Sequence, residues 1–291
     1  MCRWMAWHGQ PLVIEELLFN TEHGIVDQSL NARMGAEPTN GDGFGLGWYD
    51  AGGAPAVYRS IRPAWADANL RELAAHIESG LFLTHVRAAI GSPVQETNCH
   101  PFRRGRWLFV HNGFIADFHV LRRDLMLAVD PLLFAEIQGS TDTEVVFYLA
   151  LTFGLEDDPI HALERTVGLI ETVARDRGVA GPVQASFGVS DGTTLWAVRY
   201  ASESRARSLF ASADVDTIRR LHPDNERFQR LGLGDRLIVS EPFSDLPGVW
   251  REIPEATAVT VRGEGVLEEQ PFRPRAPAEG AAERSLEGMQ C

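Results

Sequence analysis

Cys2 stands directly behind the initiator methionine. Removal of Met1 would leave a thiol and a free α-amine on one residue. The α-amine has a reference pKa of about 7.7–8.0, so a useful fraction is unprotonated at neutral pH. It can take the thiol proton, directly or through a water, and the thiolate is then the nucleophile. That makes a self-contained acyl-transfer catalyst that needs no histidine. The plainer reading of Cys2 is a small hydrophobe in a first strand.

Further along, Thr84-His85-Val86-Arg87 reads as a buried strand ending in arginine, whose guanidinium must find a partner. Its forked donors suit a carboxylate, either on a ligand or on one of the 40 acidic residues. His111-Asn112-Gly113 reads as a tight type I′ turn. At the tip of a rigid hairpin, the Asn112 amide and the Gly113 N–H could both donate to one oxygen, as a tetrahedral oxyanion requires. Asp142 heads an apolar run, where an acid is a helix cap or an acceptor for a substrate ammonium. Asn98-Cys99-His100-Pro101 holds a histidine with no carboxylate near it in sequence, which suggests no relay.

The elements that must hold these residues follow from periodicity. Cys2 to Trp7 alternates as a strand, with a short helix near Leu12 to Phe19 after it. Asn20 to Gly41 reads as a long loop with at most a helical turn. Gly43 to Tyr49 alternates glycine with apolar residues, a strand with one bare face against which another backbone or a ligand can come close. Val57 to Ile61 continues the sheet, Leu70 to Ile77 is helical, and Leu81 to Val86 is a buried strand. Arg106 to Val110 and Phe114-Ile115 form two strands about Asn112-Gly113. Helices are expected at Asp117 to Val129, Asp142 to Phe153 and Pro159 to Arg177. Short strands then follow at Ala185 to Val189, Thr194 to Tyr200, Ser208 to Ser212, Leu237 to Ser240 and Ala258 to Val261, with Asp191-Gly192 as a hairpin turn. Strands, helices and strands again make one α+β domain, here 2–268, with helices outside two sheets. Residues 269–291, rich in Pro, Ala, Glu and Gly, are expected to be a disordered tail.

Composition narrows the function classes. The 27 basic residues, all arginine, against 40 acidic ones leave a net charge of −13, which repels phosphate backbones and disfavours nucleic acid. No segment reaches the roughly 18 uninterrupted apolar residues of a membrane helix. The N-terminal octapeptide has no long apolar core, so no secretory signal is expected. Three cysteines, Cys2, Cys99 and Cys291, make neither a disulfide framework nor a zinc motif. A reducing cytoplasm, with no metal and no cofactor, is the expectation.

Taken in order, Cys2, Thr84-His85-Val86-Arg87, Asn98-Cys99-His100-Pro101, Val110-His111-Asn112-Gly113-Phe114-Ile115 and Ser140-Thr141-Asp142-Thr143-Glu144-Val145 resemble the motif blocks of the class II glutamine amidotransferases. These belong to the N-terminal nucleophile hydrolases, and the resemblance implies a four-layer αββα sandwich with two mostly antiparallel sheets between helix layers. It implies that Cys2 attacks a side-chain amide with its own α-amine as base. It further implies that Asn112 and Gly113 form the oxyanion hole, Arg87 holds the α-carboxylate, Asp142 holds the α-ammonium, and His100 joins the substrate-binding wall.

One departure bears on substrate. Ala88-Ala89-Ile90-Gly91 stands where sugar-phosphate synthase glutaminases have tryptophan, alanine, threonine and histidine, so polar groups that close the site over glutamine are missing. Met1-Cys2-Arg3, the segment Asn40 to Trp48 and His85-Val86-Arg87-Ala88-Ala89 resemble instead the stand-alone branch, whose members cleave γ-glutamyl amides in glutathione degradation and the ergothioneine pathway. The expected activity is hydrolysis of a γ-glutamyl amide, glutamine or a larger conjugate, through a thioester on Cys2. The alternative is a glutaminase subunit that passes ammonia to a separate synthase partner; a non-catalytic member of the fold should have lost Cys2 first.

Overall fold

The computed structural model describes residues 2–35, 38–50, 52–203 and 205–277. The chain runs β1 (Arg3–Val13), α1 (Glu15–Leu18), α2 (Ile25–Asn31), β2 (Phe44–Tyr49), β3 (Pro55–Ser60), α3 (Ala68–His76) and β4 (Glu78–Val86). It continues through β5 (Phe102–Arg104), β6 (Trp107–Ile115), α4 (Phe118–Leu127), α5 (Pro131–Phe134), α6 (Asp142–Thr152) and α7 (Pro159–Asp176). The last part holds β7 (Val183–Ser190), β8 (Leu195–Ala201), β9 (Phe210–Ser212), α8 (Val215–Leu221), α9 (Glu226–Arg230), β10 (Arg236–Val239), β11 (Trp250–Glu252), β12 (Thr257–Arg262) and β13 (Val266–Pro271).

Two antiparallel sheets result, in strand orders β11-β9-β10-β1-β4-β2-β3 and β13-β12-β8-β7-β6-β5. Side-chain alternation along each strand sorts the core into three layers. On β1, Trp4 and Ala6 enter a cluster with Leu81 and Leu83 of β4 and Leu108 and Val110 of β6, so this layer lies between the sheets. Met5 and Trp7 turn the other way and pack with Leu18, Ile25, Val26, Leu70 and Ala74 of α1, α2 and α3. Phe109 of β6 faces outward onto Leu121, Leu125, Phe147 and Leu163 of α4, α6 and α7. Helix, sheet, sheet, helix is the four-layer α+β sandwich that the motifs imply.

The bare face of β2 is explained by packing. A Cβ on Gly45 would lie 2.1 Å from the His100 carbonyl oxygen, so the backbone that carries His100 presses directly on the strand. The loop expected over 20–41 contains a two-turn helix, α2, anchored by its buried Ile25 and Val26. At the other end of the chain, β13 runs across the expected boundary at 268 and Phe272 is buried in the outer core. The remainder of the expected tail, 278–291, lies outside the described residues. Among the described residues, no helix is long and apolar enough to cross a membrane.

Candidate active site

The ladder between β1 and β4 pairs Arg3 with Val86 and Trp4 with His85. One further step sets Cys2 across from Arg87, and alternation turns both side chains to the inter-sheet side, where Trp4 and Leu83 lie. Asn112 shares that parity with Leu108 and Val110 on β6. Three chemically loaded residues therefore converge where the space between the sheets opens. The opening is a cavity of about 660 Å³, whose walls include Cys2, Arg87, His100, Asn112, Gly113 and Asp142. All six residues singled out in the sequence line it.

Cys2 is half-buried, with its Sγ 3.6 Å from the Ala88 carbonyl oxygen. Burial pushes its thiol up, against the opposing pull of the Ala88 contact and of the Arg87 cation. A base is therefore needed to generate the thiolate. Cys99 is no rival nucleophile: burial pushes its thiol to about 11, and its sulfur contacts the Ser60 and Gln95 carbonyls.

Arg87 is buried, and its guanidinium donates to Ser92 Oγ at 2.7 Å, to the Pro93 carbonyl at 3.1 Å and to the Asp42 carbonyl at 3.4 Å. All are neutral acceptors. Among the described residues Arg87 forms no ion pair, so the structural pairing open to it on sequence grounds is not made. A fixed cation without an anion, at a cavity wall, has the chemistry to receive one. Asn98 extends this arrangement, because its Nδ2 donates to the same Pro93 carbonyl at 3.0 Å and to Ser140 Oγ at 3.2 Å. Its Oδ1 in turn accepts from the Ser140 N–H at 2.8 Å. One buried amide thus locks the Arg87 loop to the loop that enters α6.

Asp142 is the first helical residue of α6 rather than its cap. The cap is Thr141, whose side chain accepts from the Glu144 N–H, and this frees the Asp142 carboxylate to turn sideways. Its Oδ2 accepts from the Ile115 N–H and its Oδ1 from the Thr143 N–H, both at 2.7 Å. Two backbone bonds fix a carboxylate and leave lone pairs for a further donor.

The expected hairpin at Asn112-Gly113 is absent. β6 continues through both residues, with Asn112 opposite Ser186 and Gly113 opposite Ala185 on β7. Turn propensity is a local preference, and here an unbroken ladder along β7 overrides it. The glycine is still required: a Cβ on Gly113 would sit 1.9 Å from the Gln184 carbonyl oxygen. The Asn112 side-chain amide bonds to no described residue, and its oxygen is buried without a partner. That leaves the amide available to a ligand.

His85, His100 and His111 form a buried group behind this wall. The rings of His85 and His100 lie 4.0 Å apart, His100 Nδ1 accepts from the His111 N–H at 3.4 Å, and His111 Nδ1 meets Thr143 Oγ1 at 2.9 Å. Burial favours the neutral form of all three, pushing His85 down to about 3 and His100 well below its ordinary value, with the Arg87 cation adding to the effect; at His111 burial also lowers the value, against the opposing pull of the Asp142 carboxylate. His100 thus lines the cavity as a neutral imidazole.

Two wall residues had no local signal in the sequence. Arg207, in the segment between β8 and β9, borders the cavity, and Ser92 reaches Arg87 from the loop after β4. Among the described residues, no group of three or more His, Cys, Asp or Glu could hold a metal ion.

Comparison with known proteins places the chain in a family. The family model described as "Glutamine amidotransferases class-II" matches residues 17–232, a stretch that contains Arg87, Asn112, Gly113 and Asp142 and starts after Cys2. The Saccharomyces cerevisiae protein named "Probable glutamine amidotransferase DUG3" is 32% identical over 92% of this chain and 83% of its own length. The Mycolicibacterium smegmatis "Gamma-glutamyl-hercynylcysteine sulfoxide hydrolase" is 31% identical over 92% of this chain and 98% of its own. A solved glutamine aminotransferase class-II domain protein from Silicibacter pomeroyi superposes with a TM-score of 0.71 at 34% identity, covering 94% of this chain and 99% of that one. The chain belongs to the class II glutamine amidotransferases.

Proposed function

We propose that the protein hydrolyses γ-glutamyl amides on Cys2, with an amine larger than ammonia as the leaving group. The observation that carries this reading is the unpaired Arg87 cation facing the same cavity as Cys2 and the Asp142 carboxylate. One end of a γ-glutamyl group is a carboxylate and an ammonium, which Arg87 and Asp142 complement. The other end is the amide carbonyl, which must then reach Cys2.

Once Met1 is removed, the Cys2 α-amine takes the thiol proton and the sulfur adds to the γ-carbonyl carbon. The charge that develops on the carbonyl oxygen is met by the Asn112 amide and the Gly113 backbone N–H. Collapse breaks the carbon–nitrogen bond, the departing amine takes the proton back from the α-ammonium, and a γ-glutamyl thioester remains. The α-amine then takes a proton from water as the water adds to the thioester carbon. Loss of the sulfur, with return of the proton, frees glutamate and restores Cys2.

The mouth of the cavity supports a larger leaving group. Ile90 is 72% exposed, and a Cβ on Gly91 would meet nothing within 4 Å. A site that must trap ammonia needs closure over a small ligand. The hydrolase relative, whose name specifies a γ-glutamyl compound, lends the same support.

The test is glutamate release from glutamine and from a panel of γ-glutamyl peptides and thiol conjugates, with Cys2→Ala as the blank. At least one conjugate is expected to exceed glutamine in kcat/KM, and Cys2→Ala to be folded and inactive. Glutamine as the best substrate across the panel, or turnover only after a second protein is added, would install the ammonia-donor reading instead.

A further inference from the structure

The cavity contains a second arginine that the mechanism does not use. The Arg207 guanidinium lies over the Phe114 ring, 5.3 Å from its centroid. Its Nε is buried and has no hydrogen-bond partner among the described residues. Among those residues it also forms no ion pair, in a protein with 40 acidic side chains. Arg122, in the middle of α4, shares the cavity wall and likewise pairs with no described acid; its Nε contacts Met126 Sδ. The acid on this side of the mouth is Asp117, exposed at the head of α4.

Position along β6 says which part of a substrate this arginine would meet. Phe114 follows Asn112 by two residues, so both side chains leave the same face of the strand, roughly 7 Å apart. Phe114 is 40% exposed, a large ring presented to the cavity. With the scissile carbonyl at Asn112 and the glutamyl end at Arg87 and Asp142, Phe114 and Arg207 border the leaving amine. Burial and the neighbouring Arg3 cation both work against charge at Arg207, opposed by the Cys2 sulfur alone. What the spot lacks is an anion.

We propose that Arg207, held on Phe114, is a specificity-determining residue that selects γ-glutamyl compounds whose leaving amine carries a carboxylate. The proposal rests on the hydrolase reading above. A half-buried guanidinium whose Nε has no partner gains acceptors when a ligand supplies them, and a carboxylate supplies two in matching geometry. An uncharged leaving group of the same size would desolvate Arg207 without that return. Glutamine leaves nothing at this spot.

The matched probes are γ-glutamyl-alanine and γ-glutamyl-alaninamide, which differ only in the terminal carboxylate. The wild-type protein is expected to prefer the acid by about tenfold or more in kcat/KM, chiefly through KM. Arg207→Gln should bring the ratio to about one, and Arg207→Lys should keep part of it, since a point charge persists without the fork. The ratio is measured within each variant, so partial loss of folded protein does not affect it. Equal rates for the two probes in the wild type, or an undiminished ratio in Arg207→Gln, would overturn the proposal. Calorimetric titration of Cys2→Ala with both probes separates the two claims. If no probe is turned over by the wild type, yet the acid binds more tightly and Arg207→Gln removes that difference, the subsite stands and the hydrolase reading falls. If the probes bind equally, the subsite falls.

Discussion

The Trp4 indole N–H donates to Ser186 Oγ at 3.0 Å, joining the strand that starts directly after Cys2 to the strand paired with Asn112. Both residues are buried, and the bond crosses from one sheet to the other. The interface between the sheets is otherwise largely apolar, with the Tyr49 hydroxyl supplying another directional bond across it, to the Ser190 carbonyl at 2.8 Å. Such fixed points hold Cys2 and Asn112 in one register. Ser186→Ala leaves the indole N–H buried and unpartnered and should cost about 1–3 kcal/mol of stability. Adding Trp4→Phe removes the orphaned donor, so the double variant should be more stable than additivity predicts by roughly 1 kcal/mol. Urea unfolding of the four proteins reads this coupling; strict additivity would dismiss the bond.

Gly113→Ala should damage both stability and turnover. The added Cβ would stand 1.9 Å from the Gln184 carbonyl, and that atom belongs to a ladder strand that cannot swing aside. A loss of about 1–3 kcal/mol is expected from overpacking, with kcat falling more than KM because the shift displaces the Asn112-Gly113 donors. A variant with wild-type kcat would remove Gly113 from the oxyanion role.

Active protein should begin at Cys2. Intact-mass measurement on a preparation that releases glutamate is expected to lack Met1, and blocking removal of Met1 should abolish turnover while the fold persists. Activity in protein that retains Met1 would sink the α-amine mechanism, because the amine would be an amide nitrogen with no basic lone pair.

Arg87→Ala should lower kcat/KM by roughly 2–5 kcal/mol, mostly as a higher KM, since it removes the fixed charge proposed for the α-carboxylate. Arg87→Lys should recover little, because Ser92, Pro93 and Asp42 are spaced around a planar fork rather than a point charge. Steady-state kinetics on one γ-glutamyl substrate decides this, and an unchanged KM in Arg87→Ala would refute the assignment.

The histidine group sets an acid limit on stability. His85 is held down to about 3, and His100 and His111 are also lowered, from an ordinary value of 6.5. Below that value the unfolded chain binds protons that the folded chain refuses. Stability is therefore complete above about pH 6.5 and falls as the pH drops toward 3, by about 1.4 kcal/mol per pH unit for each histidine that stays neutral. Denaturant midpoints between pH 7.5 and 5 should show this slope, and His85→Leu should make it shallower by about one proton. A slope unaltered in that variant would mean His85 does not contribute.

Sequence by itself determined which residues are candidates for the chemistry and which elements hold most of them. Cys2, Arg87, Asn112, Gly113, Asp142 and His100 are recognisable as types in an order, and order is a property of the chain. The 3.6-residue period of α6 and α7 and the alternation in β1, β2 and β4 are likewise local, because each reflects which side chains neighbours along the chain turn to one face. Even the bare face of β2 was legible as a demand for close approach.

Other features depend on what lies across the fold. Asn112-Gly113 has the composition of a turn, and only the partner strand β7 makes it the middle of β6. Whether Arg87 was a structural pair or an unpaired cation depended on which acids stood near it, and charge counts carry no distances. Asn98 joins the Arg87 loop to the α6 entrance across 42 residues of sequence, and Trp4 meets Ser186 across 182. Arg207 had no motif around it; it matters because the return from β8 brings it over Phe114. Hydrogen bonds and charge pairs act over a few ångströms of space, and separation along the chain does not report that distance.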